Sequence, residues 1–253
     1  MRWRGLSKEA SDAPRVGVPL AQRLLEIKAG IAEYVRPESQ AINERAVAEI
    51  AASGLADGIL PVGAAAPEFT LPDQNGHIVR LRDLQAPGER SASAEVARAE
   101  REGEAAQRCG ALKPTVISFF RGRWDPFCVT ELEAWREMVP QLEANGVGLV
   151  AISPQTPKHN AFTADQHKLR YPVLSDAGNH VARQFGLVYA VSAEQKKLYK
   201  TVFINLPLTN GDESWELPLP ATYVIGANSR VIYAKAFADY TQRPEIAEVL
   251  GVL

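Results

Sequence analysis

The sequence predicts an α/β fold with a mixed central sheet, helices on both faces of that sheet, and a helical arm ahead of it. Three observations lead there. Short β-rich runs alternate with helical patterns through the middle of the chain, which calls for parallel strands joined by helical crossovers. Two late strand-like runs flank a tight Ala227-Asn228-Ser229 connection, which calls for an antiparallel hairpin on the same sheet. Before all of these, two stretches carry apolar residues at helical spacing. A length of 253 residues, 46% hydrophobic and 23% charged, suits one large globular domain with an appendage.

Residues 1–16 read as a loose polar start. Leu20, Leu24, Ile27, Ile31 and Val35 then recur on one helical face, and Pro37 ends the run. A second helix is expected from residue 38 to about 53, with Ile42, Ala46 and Ile50 on one face and Gly54 as the stop. Together they make an arm over 1–58 that packs on the main domain or on a second subunit. The main domain, 59–253, opens with a hairpin around Asn75-Gly76. Residues 86–113 are rich in Ala, Glu and Arg and read as a solvated insertion. After it come a strand at 115–120, a helix at 128–143, a strand at 147–152, a helix, a strand at 171–174 and a helix around 181–185. Strands at 221–225 and 231–236 and a helix at 244–250 close the chain. This order suits a thioredoxin-type α/β sandwich.

Several classes of function are disfavoured by composition. The net charge of −2, and the mixed signs in 86–113, give no footprint for nucleic acid or an anionic membrane. No stretch approaches the roughly 20 apolar residues of a membrane span. No apolar segment follows the basic start Met1-Arg2, so a secretory leader is not expected and a reducing cytoplasm is the expected compartment. The two cysteines, Cys109 and Cys128, cannot make a disulfide framework. His77, His159, His167 and His180 lack ligand spacing, and neither a metal site, a phosphate loop nor a dinucleotide fingerprint is expected; no cofactor is implied.

Cys128 carries the most information. The run Phe120-Arg121-Gly122-Arg123-Trp124-Asp125-Pro126-Phe127-Cys128 leaves a strand, breaks at a glycine and enters a helix at a proline. One thiol thereby lies in the first turn of a helix, where unpaired N–H groups and the helix dipole favour a thiolate. Arg121 and Arg123 would push the same way. Asp125 has two readings that do not exclude each other. As an N-cap before Pro126 it opens the helix. As a carboxylate near sulfur it raises the thiol pKa and can act as a general base, or as an acid for a leaving group.

The ordered motifs resemble the peroxiredoxin-like branch of the alkyl hydroperoxide reductase / thiol-specific antioxidant family. They include Gly63-x-x-x-Pro67-x-Phe69-x-Leu71, Phe120-Arg121-Gly122-x-Trp124, Glu131-Leu132, Ala151-Ile152-Ser153-Pro154-Gln155 and Tyr171-Pro172-Val173-Leu174-Ser175-Asp176. Gly211-Asp212-x-x-Trp215-x-Leu217-Pro218, Pro220-Ala221-Thr222-Tyr223-Val224-Ile225 and Asp239-Tyr240-Thr241 complete the set. The resemblance implies a thioredoxin fold and reduction of small hydroperoxides or disulfides by Cys128. An external thiol of thioredoxin or glutathione type would then restore it, in a homodimer. Members of the branch usually keep Trp-Cys-Pro-Tyr-Cys where this chain has Trp124-Asp125-Pro126-Phe127-Cys128, so the first cysteine of a dithiol is Asp125 here. The family's threonine falls at Asp125 and its arginine at Pro220.

The resemblance also implies a cis bond before Pro220, with the preceding carbonyl facing the Cys128 helix start and Trp124, Phe127 and Arg123 around a binding pocket. Simple packing of Trp124 and Phe127 is the other reading. Cys109 is either a resolving thiol for a sulfenic acid or an incidental surface thiol. Two further functions stay open: an enzyme that uses Asp125 with Cys128 for non-peroxidatic chemistry on a small metabolite, and a redox-silent scaffold.

Overall fold

The computed structural model describes residues 17–86 and 112–253; nearly all of the predicted insertion lies outside them. Helices α1 (Leu20–Tyr34) and α2 (Pro37–Ala52) come first, separated at Pro37 as the apolar spacing requires. Strands β1 (Thr70–Pro72) and β2 (Ile78–Arg80) pair antiparallel around Asn75-Gly76, and α3 (Leu81–Gln85) follows. The alternating region gives β3 (Thr115–Phe119), α4 (Pro126–Ala144), β4 (Gly148–Ser153), α5 (Pro157–Gln166), β5 (Val173–Ser175) and α6 (His180–Gln184). Then come β6 (Val188–Ala190), α7 (Ala193–Thr201), α8 (Leu206–Asn210), β7 (Glu216–Pro218), β8 (Ala221–Ile225), β9 (Val231–Ala236) and α9 (Ile246–Leu250).

The central sheet has the order β5-β4-β3-β8-β9. β3, β4 and β5 run parallel, as crossovers through α4 and α5 demand, and β8 and β9 run antiparallel to their neighbours. Every residue of β3, β4 and β8 is buried, so both faces of the sheet are covered. Alternation along β3 divides the core. Val116 and Phe120 join Cys128, Leu132 and Trp135 of α4 on one face. Ile117 and Phe119 join Phe185, Leu187 and Tyr223 on the other, where the Phe119, Phe185 and Tyr223 rings pack with centroids 4.8–6.1 Å apart.

Helix α1 packs across α4. Leu20 and Leu24 meet Phe127 and Ala134, and the buried Arg23 guanidinium makes a paired bond to Glu137 at 2.7 and 3.0 Å. Pro19 offers no side-chain cap, and the α1 start is capped from the far end of the chain instead: Glu245 accepts from the N–H groups of Leu20 and Ala21.

Two expectations change at the level of elements. The helix placed at about 128–143 begins at Pro126, the opening that Asp125 and Pro126 mark in the sequence. The sequence reading assigns no helix or strand between 186 and 220, where β6 pairs with β7 and α7 and α8 intervene. Three-residue strands are too short to show a period of two, and α7 is dominated by polar residues.

Candidate active site

The site lies beyond the carboxyl ends of β3 and β4, where open parallel sheets leave a crevice. Gly122 turns the chain out of β3 with φ +149°, and a side chain there would meet the Trp124 indole nitrogen at 2.6 Å. Arg123 follows, its N–H bound to Gln155 Oε1 from the loop after β4. Asp125 then sits at the α4 N-cap, its Oδ1 accepting from the Phe127 N–H at 3.0 Å, with Pro126 at the first helical position. Cys128 is thus in the first turn, as the sequence requires.

The other oxygen of Asp125 does the second thing open to it. Oδ2 accepts from the Cys128 Sγ–H at 3.0 Å and from Arg121 Nε and Nη2 at 2.8 and 2.6 Å. Arg121, Asp125 and Cys128 are all buried. Sγ in turn accepts from the Arg121 N–H at 3.5 Å and from Arg243 Nη2 at 3.3 Å. The expected thiolate is corrected here. Burial first, and the Asp125 carboxylate second, push the thiol up to about 12; Arg243, Arg121 and the Arg121 N–H pull it down and are outweighed. In this closed arrangement Cys128 is a thiol that donates to Asp125.

Arg243 is the residue the sequence reading missed. Among the pieces it counted absent was an arginine beside the sulfur, whose expected position Pro220 occupies. Arg243 supplies that guanidinium from the segment between β9 and α9. It is fully engaged: Nε binds Glu131 Oε2, Nη1 binds the Tyr240 and Gln242 carbonyls, and Nη2 reaches Sγ. Glu131 Oε1 takes the hydroxyls of Ser118 and Thr222, which are register partners on β3 and β8. A chain of bonds therefore runs from the sheet through Glu131 and Arg243 to sulfur. The signal for it was legible in α4, where Glu131 shares the buried face of Cys128, Leu132 and Trp135. A carboxylate on such a face calls for a cation.

Aromatic groups enclose Arg121. Its guanidinium lies 3.9 Å from the Tyr240 ring centre and 5.0 Å from that of Trp124, and Nη1 reaches the Tyr189 hydroxyl at 3.4 Å. Trp124 packs in turn on Tyr199. Burial pushes the Tyr240 hydroxyl up to about 12, with Arg121 opposing, so this cage stays neutral. The other predicted residues fall elsewhere. Phe127 is buried against Tyr240 and α1, which is the packing reading. Arg123 is exposed, with its guanidinium over Phe162 and not on the sulfur. Pro220 is buried at the same end of the sheet, but there is no cis peptide bond among the described residues, so the expected cis geometry is not met. Cys109 lies outside the described residues. Among those described, no group of His, Cys, Asp and Glu could hold a metal ion, and no helix is long and apolar enough to cross a membrane.

The family model for the AhpC/TSA family matches residues 96–234. Alkyl hydroperoxide reductase E of Mycobacterium bovis is 30% identical over 131 residues, covering 51% of this chain and 69% of the relative. Peroxiredoxin Bcp of Escherichia coli is 27% identical over 128 residues, covering 51% of this chain and 65% of its own length, just under two thirds. Peroxidoxin BcpB from Mycobacterium tuberculosis superposes with a TM-score of 0.52 at 21% identity, over 76% of this chain and 96% of that one, a likeness of fold. On the family match and the mycobacterial relative, the chain belongs to the AhpC/TSA family, with a thioredoxin-like peroxiredoxin fold.

Proposed function

We propose that this chain is a thiol-dependent oxidoreductase that reduces small hydroperoxides, or disulfides, with Cys128 as its redox thiol. The observation that carries the reading is one sulfur at a helix start, touched by the Arg121 N–H and the Arg243 guanidinium, in a chain of this family. As a thiolate, that sulfur displaces the outer oxygen of a hydroperoxide, and the two guanidinium groups stabilise the oxygen that leaves. The sulfenic acid formed is returned to a thiol by an external thiol of thioredoxin or glutathione type, with Cys109 as the internal alternative. Cytoplasmic placement, where such thiols are kept reduced, belongs to the same reading. So does a homodimer, for which the exposed Leu25 and Tyr34 of α1 offer an apolar contact.

Sγ has no exposed surface, so turnover requires the segments over it to part. Residues 239–245 carry Tyr240 and Arg243 onto the site. They are held from outside by Lys28 on Asp239 at 3.6 Å and by the Glu245 cap on α1. We assign access to a displacement of this segment that admits the peroxide and closes again, with Arg243 back on the sulfur, before the chemical step.

The test is peroxide consumption by wild type, Cys128→Ser and Cys109→Ser, each with a thioredoxin system or with glutathione. Wild type and Cys109→Ser should turn over and Cys128→Ser should not. Absence of turnover in wild type with every hydroperoxide and both reductants would overturn the peroxidase reading and leave the non-peroxidatic enzyme and the scaffold.

A further inference from the structure

We propose that Asp125 is a catalytic residue that carries the proton of Cys128, taking it from sulfur and delivering it to the oxygen that leaves the peroxide. The inference rests on Cys128 being the redox thiol, and adds to it a role for the residue that stands where the related dithiol proteins keep a cysteine.

Geometry and charge both point to it. Sγ and Oδ2 are 3.0 Å apart, so the proton lies on the line between them. The charged groups of the site come from every element around it. Arg121 comes from the loop after β3, Asp125 and Glu131 from α4 and its cap, and Arg243 from the segment before α9. Tyr189 of β6, Tyr199 of α7 and Tyr240 face the same centre as neutral hydroxyls, since burial raises all three. Two guanidinium charges therefore meet two carboxylates while the Cys128–Asp125 pair holds one proton. Loss of that proton to solvent would leave an uncompensated charge in a site without exposure, which is strongly disfavoured. Moving it 3.0 Å to Oδ2 keeps the cluster neutral, and the negative charge stays within reach of both arginines.

The chemistry closes on these atoms. The Sγ proton passes to Oδ2, giving a thiolate and a neutral Asp125. A sulfur electron pair attacks the terminal oxygen of the hydroperoxide; the S–O bond forms, the O–O bond breaks, and its electron pair leaves on the second oxygen. That oxygen takes the proton from Asp125 and departs as an alcohol, or as water from hydrogen peroxide. Sulfur is oxidised by two electrons to the sulfenic acid, the peroxide is reduced by two, and Asp125 is a carboxylate again.

The intact protein provides the first test. The rate of Cys128 oxidation by hydrogen peroxide is followed from about pH 6 to about pH 9, across the ordinary thiol range. Internal transfer predicts a flat profile, because the reactive form has the same proton count as the resting one. A rise of about tenfold per pH unit, as for a thiol losing its proton to solvent, would overturn the proposal.

Asp125→Asn provides the second test, since Asn also caps a helix. Peracetic acid expels acetate, which leaves without a proton, and serves as the control oxidant. Without the carboxylate charge the two guanidinium groups ionise the sulfur unaided, so only proton delivery is missing: the variant should lose about 10²-fold or more with hydrogen peroxide and far less with peracetic acid. Equal loss with both oxidants, or no loss with either, assigns Asp125 a structural role and overturns the proposal. Wild-type Cys128 that is inert to both oxidants would overturn the thiol reading itself, an outcome separate from these.

Discussion

Cys128 and Asp125 face each other across 3.0 Å in the first turn of α4, one as donor and the other as acceptor, both buried. Helix starts ordinarily lower a thiol's pKa. Here the same turn brings in a carboxylate and removes water, and those two effects win. The sulfur is held ready as a thiol, with its compensating charges already assembled around it.

The raised thiol has a consequence for stability against pH. Its pKa goes from 9.0 to about 12 on folding, so the native state holds this proton more tightly than the unfolded chain. The resulting contribution is full below about pH 9 and is lost as pH climbs toward 12. Denaturant midpoints measured up that range should fall for wild type. They should begin to fall at higher pH in Cys128→Ser, which has nothing to ionise there. The buried tyrosines titrate from a higher starting value and form the later part of the decline.

Arg243 and Glu131 should behave as a pair. Arg243→Ala leaves a buried carboxylate without its cation and should cost about 3–5 kcal/mol in urea unfolding. Adding Glu131→Gln should return most of that loss, because the amide still accepts from Ser118 and Thr222. Thiol reactivity should not return with stability, since Nη2 is gone from sulfur in both variants. A double variant that loses the sum of the two single-variant losses would show that the two side chains act separately.

Glu245 is predicted to hold α1 in place. Glu245→Ala removes the acceptor for the Leu20 and Ala21 N–H groups and should cost about 1 kcal/mol, the worth of a helix cap. Hydrogen exchange at those two amides should speed up first. Cys128 should alkylate faster in the same variant if residues 239–245 cover it as proposed. Unchanged exchange at both amides would show that the cap contributes nothing.

Much of this was written in local pattern. The central strands, the arm helices and the position of Cys128 follow from spacing, from Pro37 and Pro126 as helix openers, and from Asn-Gly turns. Asp125 as N-cap is likewise a local matter, and the structure adds that its second oxygen serves sulfur and Arg121. Arg243 was not legible in that way. Its partner Glu131 lies 112 residues earlier, and the contact exists because β8, β9 and the turn after them close over α4. The pKa of Cys128 was misjudged for the same reason: dipole and arginines are read from neighbours in sequence, whereas burial is a property of the finished fold. The short β6–β7 pair was missed because three residues carry no period.

The most direct measurement is mass spectrometry of the protein after brief exposure to hydrogen peroxide with a sulfenic-acid trap. The account predicts the adduct on Cys128 in wild type and none at residue 128 in Cys128→Ser. A wild-type Cys128 that stays a thiol while excess peroxide persists would contradict it.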